Sequence, residues 1–162
     1  MSTNASTPRK IDVLLSKYGE SHVNPTNKAI HWICIPLIMF SLLGMLYTIP
    51  FPITKSLFAN WAMVFLGLTL VYYLVLSIPI FLGFVVVGGA MAIGNHYLGL
   101  ALGDNMLLLW VSIGIFFVAW VFQFIGHKIE GAKPSFLEDL QFLLIGPAWL
   151  LHFLYKKVGL KY

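Results

Sequence analysis

From residue 9 onward the chain alternates apolar stretches with short polar punctuation, and the spacing within each stretch predicts helices. Residues 9–20, RKIDVLLSKYGE, place Ile11, Leu14, Leu15 and Tyr18 at helical intervals, with Lys10, Asp12 and Lys17 opposite. That pattern predicts a short amphipathic helix lying on a membrane surface. Residues 1–8 are polar and are expected to be disordered. Asn24-Pro25 is a strong helix start, because Asn can cap and Pro is tolerated at the first helical position. A first membrane span is expected over about 25–47, bent at Pro36. A second is expected over 57–77, ended by Ser77-Ile78-Pro79, a third over 80–101 and a fourth over 105–126. The last three runs are each about 20 residues long, enough to cross a bilayer. The third carries Ala90/Gly94 and Gly99/Gly103 at a small-xxx-small spacing that lets helix backbones approach closely. After Pro134, Ser135 and Glu138 form a capping-box pattern. Gly146-Pro147 is expected to interrupt the C-terminal apolar segment, so 135–157 reads as an interfacial or re-entrant helical hairpin, with a fifth, broken span as the alternative. No repeat or low-complexity tract divides the chain, and 1–162 reads as a single membrane domain.

Composition settles the solvent. The chain is 59% hydrophobic and 10% charged, whereas soluble domains carry about 25% charged residues. A soluble globule of this size cannot bury so much apolar surface, so the expected class is an all-α integral membrane protein. The single cysteine, Cys34, permits no internal disulfide and reads as a packing residue. The N-terminus has no apolar run of the kind a cleavable signal peptide requires. The formal charge of +4 suits an anionic membrane surface or an acidic substrate, and no basic aromatic platform for nucleic acid is present.

The basic residues also set an expected topology. Arg9, Lys10, Lys17 and Lys28 precede the first span, and Lys128, Lys133, Lys156, Lys157 and Lys161 follow the fourth, with only Lys55 between spans one and two. The positive-inside rule then places both termini in the cytoplasm with an even number of spans. The membrane would be the inner membrane in a bacterium or the endoplasmic reticulum in a eukaryote. His31, at the start of span one, and His127, at the end of span four, would lie at one depth despite being 96 positions apart. His22 lies just before the helix start, and Glu130 just after the fourth span.

Those residues fit two readings. Histidines at a bilayer surface often present a polar tip to water, as a collar. Three imidazoles converging at one depth also make a metal site, with Asn27 at i−4 from His31 and Gln123 at i−4 from His127 positioned to orient the rings. His22 and His31 could not share a face of one continuous helix, but the break at Asn24-Pro25 lets His22 fold back. Glu130 is either a further ligand, an ion-pair partner of Lys128 or Lys133, or solvated. His96 falls toward the opposite side of the membrane, and His152 follows the Gly-Pro break. No GxSxG, P-loop, CxxC or desaturase-type histidine box is present. Facing imidazoles keep a haem or other redox carrier open as an alternative. A non-enzymatic membrane protein that binds a lipid or a partner is another.

Two segments carry a resemblance. HVNPTNKAIHWICIP, from His22 to Pro36, and WVFQFIGHKIEGAKP, from Trp120 to Pro134, resemble the HxNPxNxxIHxxxxP and WxFQFxGH motifs of the fungal 2-hydroxy fatty acid dioxygenase family, and LLIGPAWLL resembles its C-terminal apolar segment. That family acts in converting phytosphingosine to odd-numbered fatty acids. The resemblance implies an Fe(2+)-dependent dioxygenase that uses O₂ to shorten long-chain 2-hydroxy fatty acids by one carbon, released as carbon dioxide. It implies His22, His31 and His127 as iron ligands, with Asn27 and Gln123 in support; Glu130 matches the motif less closely. His96 and His152 have no counterpart in it. Oligomeric state is not legible.

Overall fold

The computed structural model describes residues 8–131 and 136–161, with side-chain description resuming at Phe142. The disorder expected for the first residues and the Ser135/Glu138 capping box lie outside the described residues. Among those residues there are six helices and no strand: α1 (Lys10–Glu20), α2 (Pro25–Thr48), α3 (Trp61–Leu76), α4 (Ile78–Leu102), α5 (Asn105–Glu130) and α6 (Phe136–Lys157). α2, α4 and α5, of 24, 25 and 26 residues, are long and apolar enough to cross a membrane; α3 is apolar but has 16 residues. Leu68, Val75, Val86 and Phe117 are each at least two-thirds exposed, which is the surface of a protein whose solvent is lipid.

Local chemistry explains the boundaries. Asn24 Oδ1 accepts from the Thr26 N–H at 2.9 Å, and Pro25 opens α2. The apolar run from 57 becomes helical only at Trp61. Asn60 caps that helix by accepting from the Met63 N–H, and it spends its own amide on the Ser56 and Leu57 carbonyls, so the preceding residues form a loop. Ser77 alone separates α3 from α4 and caps the latter. α5 passes His127 and stops at Gly131, whose φ of +74° closes the helix directly after Glu130.

α2 is the hub, packing against α3, α4, α5 and α6, and its longest interface is with α5. The N-terminus of α2 and the C-terminus of α5 share one end of the bundle, where Glu130 bonds Val23, Asn24 and Asn27. Gly94 on α4 meets Phe40 on α2, and Gly99 meets Tyr47 and Leu108, so small residues do admit close neighbours there; Gly103 instead caps α4.

Two expectations are corrected. α1 does not spend its apolar face on a membrane surface, because Ile11, Leu15 and Tyr18 are buried in one cluster with Ile145, Ala148 and Trp149 of α6. Gly146-Pro147 does not divide the C-terminal segment into a hairpin, because α6 runs through it as one 22-residue helix. Proline removes an N–H and crowds the preceding turn, but a neighbouring helix can satisfy a carbonyl loosened there. Pro147 leaves the Leu143 carbonyl without its helical donor, and at the next carbonyl, Leu144, the Tyr73 hydroxyl on α3 donates at 2.6 Å and ties this turn to α3. Residues 145–151 of α6 are all buried, and this packing offsets the cost of a proline inside the helix.

Candidate metal centre

The bundle end shared by α2 and α5 gathers the three histidines. His22 lies in the turn between α1 and α2, His31 two turns into α2, and His127 in the last turn of α5. One ligand nitrogen from each lies within 4.8 Å of the others. The ring centroids are 4.3 Å apart for His22–His31, 5.0 Å for His31–His127 and 5.4 Å for His22–His127, all edge-on. Nitrogens held about 2.1 Å from a common ion stand roughly 3–4 Å apart, so a small inward rotation of the rings would bring them to one centre.

The same device orients two of the rings. His22 Nδ1 meets the Tyr18 carbonyl at 2.6 Å, and His31 Nδ1 meets the Asn27 carbonyl at 3.0 Å. A carbonyl only accepts, so each Nδ1 carries the hydrogen and each Nε2 keeps its lone pair. Both Nε2 atoms are buried without a hydrogen-bond partner. Such orphaned acceptors need an explanation, and a divalent ion that takes imidazole nitrogen is the chemistry they fit. Burial pushes the His22 imidazole down to about 4 from its ordinary 6.5, and the neighbouring His127 and Lys28 add to this. The ring is therefore neutral near pH 7, as a ligand must be. His22 and His31 are 3% and 0% exposed, so neither presents a tip to water as a collar would. His127 is half-buried and forms the open side of the triad.

Asn27 orients His31, but through its main chain rather than its carboxamide. The carboxamide donates to the Ser21 carbonyl at 3.2 Å and to Glu130 Oε2 at 2.9 Å. An i−4 carbonyl already faces a helical histidine, so the side chain is left available for the incoming turn. Glu130 neither joins the triad nor hangs in solvent. Its carboxylate accepts from the Val23 N–H at 2.8 Å, the Asn24 N–H at 2.9 Å and Asn27 Nδ2, clasping the His22 turn and the N-terminus of α2 to the end of α5. An anion at a helix N-terminus is favoured by unpaired N–H groups and by the helix dipole. Gln123 is buried one turn before His127.

Three contributors had little signal in the sequence. A Cβ on Gly126 would overlap Asn27 Oδ1 and approach His31, so this glycine permits the contact of α2 with α5 at the triad. The Tyr18 ring stacks on His22 at 4.1 Å with a 12° interplanar angle. Trp149 of α6 stands 5.3 Å from His22 and covers the pair. Tyr18 precedes His22 by four residues, the same spacing as Asn27 and His31, and that repeat was the one available clue. His152 lies on α6 outside the triad. His96 is at the far end of the bundle, where its Nδ1 meets the Tyr47 hydroxyl at 2.9 Å.

An apolar helical bundle of membrane type, carrying at one end three converging imidazoles, two of them buried and fixed in tautomer, defines the class. Over residues 9–158 the chain belongs to the 2-hydroxy-palmitic acid dioxygenase Mpo1-like family. It is 32% identical over 147 residues to the 2-hydroxy-palmitic acid dioxygenase MPO1 of Saccharomyces cerevisiae, covering 88% of this chain and 78% of the yeast protein. No solved structure matches it.

Proposed function

We propose that the chain is an Fe(2+)-dependent dioxygenase that performs α-oxidation of long-chain 2-hydroxy fatty acids, shortening each by one carbon. The observation that carries this reading is the pair of buried, unpartnered Nε2 atoms of His22 and His31 beside His127. The activity named for the yeast relative supports it. The overall reaction balances as R–CH(OH)–COOH + O₂ → R–COOH + CO₂ + H₂O. Bound iron would supply the redox chemistry that lets O₂ react with this substrate.

The chain's own residues perform the remaining tasks. His22, His31 and His127 would provide three imidazole nitrogens to a metal ion, and a 2-hydroxy acid offers oxygen donors as carboxylate and hydroxyl. The Tyr18 and Asn27 carbonyls hold the ring tautomers. Glu130 positions the His22 turn, and Gln123 supports His127 from the preceding turn of α5. Lys28, half-buried near the triad, and Lys128 offer positive charge to the substrate carboxylate as it enters on the His127 side. Tyr18 and Trp149 exclude water from the opposite side.

α2 to α5 form four spans with both termini cytoplasmic, consistent with the lysine distribution. The 16-residue α3 spans about 24 Å, which local bilayer thinning accommodates. Edge-on packing of three rings with centroids within 5.4 Å of one another favours a single ion over a planar macrocycle.

The test is to purify the protein anaerobically in mild detergent and measure its metal by mass spectrometry beside His31→Ala and His127→Ala. Near-stoichiometric iron is expected in the wild type and loss of it in both variants. Pentadecanoic acid should form from 2-hydroxyhexadecanoic acid only with the wild type and O₂. A wild type that stays empty after Fe(2+) loading overturns the reading.

A further inference from the structure

We propose that the apolar cleft walled by α2, α3, α4 and α6 seats the alkyl tail of the substrate, and that Leu43 and Leu66 at its deep end set the chain length accepted. This inference rests on the dioxygenase reading and extends it to specificity. The cleft is narrow and partly open, with a cavity volume of about 40 Å³ that a tail would widen by parting side chains, and Ile38, Leu42 and Leu43 from α2, Phe65 and Leu66 from α3, and Pro147 from α6 are among its walls. Thr69 and Tyr73 also line it, but the Tyr73 hydroxyl is engaged with the Leu144 carbonyl, which leaves the Thr69 hydroxyl as the lone free polar side-chain group among the described lining residues, with no charged group for a headgroup. The chemistry that fits is unbranched hydrocarbon.

Register ties the cleft to the triad. Ile38 and Leu42 follow His31 by seven and eleven positions and return to within about 20° of its face of α2. They therefore stack beneath the imidazole, and Leu43 lies about 18 Å down the helix from His31. One leaflet's acyl chains fill half of a hydrocarbon core about 30 Å thick, or roughly 15 Å. A 2-hydroxy acid with its head at the triad would thus end its tail near Leu43 and Leu66. Both leucines are buried in one cluster with Leu108, and Leu66 is backed by Gly88, so they make a floor. At the near end Gly146, the neighbour of Pro147, packs on Tyr18 and Ile35, and Tyr18 stacks on His22. The Gly146-Pro147 step of α6 thereby joins the mouth of the cleft to the wall of the triad.

The test uses detergent-purified, iron-loaded protein and 2-hydroxyhexadecanoic acid bearing a terminal diazirine, with a phospholipid carrying the same tail as control. Photolabelling by the acid is expected on cleft residues, displaced by excess 2-hydroxyhexadecanoic acid and weak with the phospholipid. In parallel, kcat/KM is measured across 2-hydroxy acids of graded length. Leu66→Ala should move the optimum longer by about two carbons, while Leu42→Trp should lower kcat/KM for the sixteen-carbon acid by ~10–100-fold and spare acids shorter by several carbons. Label confined to outward residues such as Leu68 and Val75, equal and undisplaced labelling by the phospholipid, or unchanged length profiles in both folded variants would each overturn the proposal. Displaceable cleft labelling without turnover of any 2-hydroxy acid supports the tail seat and removes the dioxygenase reading instead.

Discussion

Glu130→Gln separates a clasp from a ligand. The carboxylate accepts hydrogen bonds from Val23, Asn24 and Asn27. A hydrogen bond to an ionised group contributes about 1.5–3 kcal/mol when shielded, and partial exposure reduces this to ~1 kcal/mol each. The amide keeps one acceptor oxygen but turns an NH₂ toward donors, so about 2 kcal/mol of clasp is lost. If that loss falls on the geometry of the His22 turn, metal affinity drops ~30-fold, within the 10–100-fold usual for residues that support metal ligands. Affinity is measured by chelator competition with Co(2+) or Fe(2+), alongside far-UV circular dichroism. Helicity is expected to hold. At saturating Co(2+) the visible bands should match the wild type, because the donor atoms are unchanged. Wild-type affinity in the variant would refute the clasp, and altered bands at saturation would show that Glu130 itself binds the ion.

Three other outcomes rest on particular contacts. Gly126→Ala puts a methyl against Asn27 Oδ1, so it should cost ~1–3 kcal/mol in thermal or denaturant stability and weaken metal binding with it. Tyr73→Phe removes the hydroxyl that ties the Leu144 carbonyl of α6 to α3 near Pro147; about 1 kcal/mol should be lost, read as faster proteolysis of α6. His22 titrates near 4 when folded and near 6.5 when unfolded, so its stabilisation is full above 6.5 and is lost as the pH falls toward 4. His31, His127, Lys28 and Glu130 face it, and the metal-free protein should lose roughly 2 kcal/mol between pH 7.5 and 5, measured by denaturation at each pH.

The bundle was legible because lipid-facing runs and cap residues are local signals: Asn24, Pro25 and Ser77 act within one turn of themselves. The convergence of His22, His31 and His127 came from topology and length alone. What stayed hidden was set by neighbours remote in sequence. Glu130 finds its donors more than 100 positions away. Pro147 sits inside a stretch, 145–151, that is buried against other helices. α1 looked like a surface helix because amphipathicity shows that one face is apolar without showing what covers it. Asn27 was singled out for its carboxamide, whereas the main-chain oxygen, which any residue there would carry, meets the ring.

The packing of α1 on α6 has a consequence for the birth of the protein. All three histidines leave the ribosome before α6, yet Trp149, which closes over His22, and the buried partners of Tyr18 belong to α6. A nascent chain that stops after α5 has its imidazoles but no cover for them. On the metal-site proposal, the buried surroundings of the ion would be complete only once the late helix has docked.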